Sequence, residues 1–140
     1  MIIISGIILF LIFLFLSGIH FYWGLGGKWA ADAAIPTNEN HVKLMNPGLM
    51  ACFIVGSGLL SLAILSLIQA RLLNIELPEI VIYIFRIFII IFFLRAIGDF
   101  RYVGFFKKIK HTTFGQLDTK YYSPLCLLIS ILLLVQAIGE

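Results

Sequence analysis

Charge is what this sequence has least of. Only 12% of its 140 residues are Asp, Glu, Lys or Arg, while 61% are hydrophobic. That much apolar side chain cannot be covered by so little polar surface, which excludes a soluble domain and places the chain in a membrane. The net charge of +3 is too small, and the apolar content too high, for a nucleic-acid binder. Cysteine is nearly absent. Cys52 and Cys126 share no metal-type spacing and read first as small apolar residues in helices, with a disulfide or a reactive thiol as the alternative. There is no HExxH, no GxSxG, no phosphate loop and no dinucleotide fingerprint. These absences point away from an enzyme and give no reason to expect a cofactor or a metal centre. No Lys or Arg precedes Lys28, so the first segment lacks the basic start of a signal peptide. Its apolar run also exceeds the usual core of one, and an uncleaved first span is expected.

What is present is length of apolar chain. Crossing the hydrocarbon takes about 20 residues of helix. Four segments qualify, over 2–27, 47–71, 79–100 and 123–139. Pro47, Pro78 and Pro124 stand at the expected helix starts, where a missing N–H costs little. Asn46 and Ser123 stand where N-caps belong. The expected fold is therefore all-α, a single four-helix transmembrane bundle with antiparallel neighbours. The positive charges give it an orientation. Lys28, Lys43, Arg101, Lys107, Lys108, Lys110 and Lys120 fall in the two long loops, against Arg71 alone on the opposite side. The positive-inside rule then puts both long loops in the cytoplasm and both termini outside.

Nearly all the unusual chemistry gathers at the loop end. Arg95 and Asp99 are four apart, the spacing of an ion pair on one helix face. The pair either neutralises itself near the headgroups, or Asp99 aims Arg95 into the bundle toward an anion. Arg101 and the run Lys107, Lys108 and Lys110 read as anchors to anionic lipid, each worth about 1 kcal/mol near the surface. Asp118 is an acid in a basic loop, suited to pair with Arg101 or a lysine. Tyr121 and Tyr122 read as belt tyrosines, and Phe100, Tyr102, Phe105 and Phe106 fit the same interfacial belt. His20 shares a helix face with Ser17, Gly24 and Gly27, small residues that invite a neighbouring helix. It is either a satisfied hydrogen-bonding residue or a ligand or proton-relay group. Arg86 lies deeper, with Glu76, Glu79 or Glu140 as partners for a snorkelling side chain, or else as a central charge of a transporter.

The run "RAIGDFRYVGFFKKIK", with the later Asp118 and "YYSPLC", resembles a family of small bacterial membrane proteins, the domain-of-unknown-function 3995 family. "SGIHFYWGLGGKW" resembles the family's first helix and loop, and Gly115 stands where the family has alanine. The resemblance implies a four-helix protein of the bacterial cytoplasmic membrane, and it supplies no activity. The residues support a binding or accessory protein that recognises a lipid headgroup or small anion at the cytoplasmic end. Its candidate site residues are His20, Tyr22, Arg95, Asp99, Arg101, Asp118 and Tyr122, with the bilayer and anionic headgroups as partners. The alternatives are a small homo-oligomeric transporter using Arg86 or His20, and an enzyme using His20 and Asp99 as acid and base.

Overall fold

The computed structural model describes residues 1–139. Its helices are α1 (Ile2–Gly24), α2 (Leu49–Gln69), α3 (Glu79–Ile97), α4 (Thr113–Leu117) and α5 (Ser123–Ile138). A 3-10 turn, Asp32–Ala34, lies in the first long loop, and a π turn, Asp118–Tyr122, joins α4 to α5. Among the described residues the only β pairing is one isolated bridge, Thr37 with Lys43. α1, α2, α3 and the continuous run Thr113–Ile138 are each long and apolar enough to cross a membrane. The chain is thus an all-helical, multi-pass membrane protein.

The fourth helical run starts at Thr113, not at 123. Thr112 caps it, its Oγ1 accepting from the Gly115 amide at 3.0 Å. Pro124 therefore sits inside a helix. A proline there removes one ladder bond, and its ring crowds the carbonyl four residues back. The five-residue π turn just before it widens the ladder and relieves that crowding. Ser123 is accordingly helical and caps nothing. At α2 the N-cap is Gly48 instead of Asn46, without a side-chain bond.

α1 packs along α2, and α3 along α5, with α1 and α5 joining the two pairs. Leu9 and Phe13 of α1, Leu62 and Ala63 of α2, Phe85 of α3, and Ile129 and Leu133 of α5 form the buried core. Lipid tails are as apolar as leucine, so burial alone gives helices no reason to associate. Close backbone approach and buried hydrogen bonds must do it. The α1–α2 seam uses both. A Cβ on Gly6 would come within 2.4 Å of the Ala70 Cβ and 2.9 Å of the Ser66 carbonyl. The Phe53 ring lies against Gly24, and the Phe21 ring against Gly56. Ser17 Oγ donates to the Gly56 carbonyl at 2.7 Å. Between α3 and α5, Ser130 Oγ donates to the Ile89 carbonyl at 3.2 Å.

Candidate functional site

α3 stops at Ile97 because Gly98 takes a φ of +89°, which only glycine adopts without strain. Beyond it the chain turns back across its own helix end. The Phe105 amide donates to the Ala96 carbonyl at 2.8 Å, and the Phe106 amide to the Ile97 carbonyl at 3.5 Å, closing carbonyls a helix leaves open. Gly104, also at φ +89°, meets Gly98 where the two backbone segments cross. A Cβ on Gly98 would lie 1.7 Å from the Val103 carbonyl oxygen, and one on Gly104 would lie 2.2 Å from that of Ile97. No side chain fits at the crossing.

Two aspartates hold this loop. Asp99 is the outer one. Its Oδ1 accepts from the amides of Arg101 (2.9 Å), Tyr102 (2.8 Å) and Val103 (3.0 Å). Partial burial pushes its pKa up, but these amide bonds outweigh that and hold the carboxyl below its usual range. Asp118 is the inner one, with no exposed side-chain surface. Its Oδ1 accepts from Arg95 Nη2 at 2.9 Å, and its Oδ2 from the Gly104 amide at 2.7 Å and Lys107 Nζ at 3.1 Å. Lys107 is equally buried and donates as well to the Gly104 carbonyl at 2.9 Å and to Thr119 Oγ1. The cluster holds two cations and one anion, a surplus of one positive charge. That surplus rests on Arg95, whose side chain is one-third exposed and whose Nη1 has no protein partner.

The expected Arg95–Asp99 pair is not formed. Four-residue spacing makes neighbours only while the helix continues, and Gly98 ends α3 before Asp99. Arg95 pairs with Asp118 instead. Asp118 does take a lysine, as its sequence context suggests, but the lysine is Lys107, which the basic run had marked as a surface anchor. Burial of Lys107 has one sequence signal: it follows Gly104, Phe105 and Phe106, which fold back on the helix end.

The single pocket expected from three helix ends is three separate places. His20 lines a cavity of about 350 Å³ between the end of α1, the first long loop and the start of α2, with Trp23, Asp32, Lys43 and Cys52. Its Nδ1 lies 2.7 Å from the Leu16 carbonyl, so that nitrogen must carry the proton. At the rim Lys43 pairs with Asp32, and that bond and charge lower the Asp32 pKa. Tyr22 lines a different, shallow groove with Leu14, Phe15 and Trp29. Asp99 and Arg101 line a cleft of about 470 Å³ with Glu39, Phe100, Lys108 and Ile109. His20 and Asp99 thus belong to different cavities, which removes the acid–base pairing. Tyr122 bridges the two long loops, its hydroxyl donating to the Ala33 carbonyl at 3.1 Å. Arg86 is exposed in mid-α3, and Glu140, one of its expected partners, lies outside the described residues. Cys52 and Cys126 are both free thiols.

The residues that build this loop are those of the family resemblance: Arg95, Gly98, Asp99, Gly104, Lys107 and Asp118. No curated protein and no solved structure matches the chain. A family profile described as "Protein of unknown function (DUF3995)" matches residues 13–133, which takes in the first helix, both glycines of the crossing and the buried cluster. With nearly the whole chain matched, the protein belongs to the DUF3995 family.

Proposed function

We propose that this is a binding protein of the bacterial cytoplasmic membrane that recognises a phosphate-bearing headgroup or small anion at its loop end. In this reading the antiparallel bundle has both long loops in the cytoplasm and both termini outside. The observation that carries it is the 470 Å³ cleft beside the end of α3, which presents Arg101 and Lys108. It lies next to a buried cluster whose surplus positive charge sits on Arg95, one-third exposed. A cleft at a helix end of a membrane protein lies at headgroup depth, where lipid phosphates are the commonest anions. Guanidinium and ammonium groups bind them through charge-assisted hydrogen bonds.

Native mass spectrometry of the purified protein tests this. Phospholipid adducts are expected on the wild type. They should fall severalfold in the double variant Arg101→Gln with Lys108→Gln, with helical content unchanged. A wild type that retains no phospholipid, or a double variant that retains as much, overturns the reading.

A further inference from the structure

The cleft that carries the proposed function is lined by both signs of charge. Arg101 and Lys108 stand in it with Asp99 and Glu39. Among the described residues none of the four forms an ion pair with another. Opposite charges left unpaired around a cavity this size are not what a plain anion would select, since two carboxylates would face it. We infer that the ligand is zwitterionic: a phosphodiester carrying a primary ammonium, the chemistry of a phosphoethanolamine headgroup. The inference rests on the headgroup reading above and names its chemical class.

The backbone that carries these charges is held in place before any ligand arrives. The Arg101 carbonyl accepts from the Lys108 amide at 3.1 Å and the Ile109 amide at 2.9 Å, so the two basic residues are tied by their backbones. The Arg101 guanidinium stacks over the Tyr102 ring at 5.0 Å. Glu39 comes from the other long loop. Its turn is fixed by Asn38 Oδ1, which accepts from the amides of Asn40 (3.0 Å) and Val42 (2.9 Å). Asp99 spends only Oδ1 on its three amides, and its Oδ2 makes no bond among the described residues. Glu39 and Arg101 also line a smaller adjoining cleft of about 190 Å³ with Asn38, Asn40 and Tyr102. In the bound state the phosphate takes Arg101 and Lys108, and the ammonium donates its three N–H groups toward Glu39 and Asp99. A trimethylated ammonium has no N–H to give, and a glycerol headgroup has no cation, so both leave the carboxylates unanswered.

The test uses the full-length protein in detergent, given an equimolar mixture of phosphatidylethanolamine, phosphatidylcholine and phosphatidylglycerol, and read by native mass spectrometry. The ethanolamine lipid is expected at least about threefold over each of the others, since one or two added charge-assisted hydrogen bonds account for that ratio. Glu39→Gln should erase the preference over phosphatidylglycerol, and Glu39→Lys should reverse it. Arg101→Gln should lower all three lipids together. Soluble phosphoethanolamine at millimolar concentration should displace the bound lipid. If it does not, recognition lies in the acyl chains and the headgroup assignment fails. If the three lipids bind equally, or phosphatidylglycerol leads, the zwitterion is wrong while phosphate recognition stands. If none binds, both readings fall.

Discussion

The two helix pairs of this protein are joined by different means. α1 and α2 meet through shape: Gly6 against Ala70, Phe rings laid on Gly24 and Gly56, and one serine hydroxyl reaching a carbonyl. The end of α3 meets the α4–α5 run through charge, with Asp118 holding Arg95, Lys107 and a backbone amide. A seam made by shape gains a little at each of many places, and its parts can be lost singly. A seam made by a buried carboxylate concentrates its energy in one group, because removing that group strands two cations.

Breaking the charged seam should therefore cost the most. Asp118→Asn is expected to lower stability by about 3–5 kcal/mol, the range for uncompensated buried charge. Adding Lys107→Met and Arg95→Met to it should recover much of the loss, since no stranded charge then remains. Chemical unfolding in detergent, followed by circular dichroism, measures both. If Asp118→Asn melts like the wild type, the cluster is wet and the contrast between the seams is wrong. The largest effect in the other seam should come from Gly6→Val, which forces a side chain into a 2.4 Å gap. Overpacking of this kind costs about 1–3 kcal/mol, and the same unfolding measurement reads it. Ser17→Ala removes only the hydroxyl bond to Gly56, and hydrogen bonds between membrane helices average about 0.6 kcal/mol. A loss above that of Gly6→Val would show that the first seam also depends on one polar group. The smallest effect concerns the outer aspartate, and acid removes it. The Asp99 pKa is lowered from its ordinary value of 3.8. The stability it adds to the turn is thus fully present above that pH and is lost as pH falls through the lower folded value. Asp99→Asn has no charge to lose and should flatten the stability curve below pH 3.8 relative to the wild type. Superimposable acid limbs would mean the three amide bonds do not favour the ionised form.

The apolar runs made four of the helices legible, because nothing else in a membrane satisfies so many backbone groups over so long a stretch. Arg95, Asp99, Arg101 and Asp118 were legible as the polar residues of the loop end. Their pairing was not. Spacing along a helix ranks partners only while the helix lasts, and the positive φ of Gly98 breaks the count between Arg95 and Asp99. Lys107 was hidden for another reason. In a run of lysines the sequence does not distinguish the one that folds inward, and here the backbone crossing of Gly104 over Gly98 makes the choice. Glu39 was passed over because it is a lone acid in a polar loop, and only the folded chain brings it to Arg101.

The buried carboxylate also sets an order of events. A chain is made from its N-terminus, so Arg95 and Lys107 leave the ribosome before Asp118 does. α1 and most of α2's contacts can close while α3 is still emerging. The loop after α3 cannot, since its lysine has no carboxylate and its Gly104 amide no acceptor until Asp118, at the start of the π turn, has been made. A chain cut just before Asp118 is left holding two stranded cations at one helix end. One cut just after Tyr122 already contains every donor and acceptor of the clasp, although α5 is still missing.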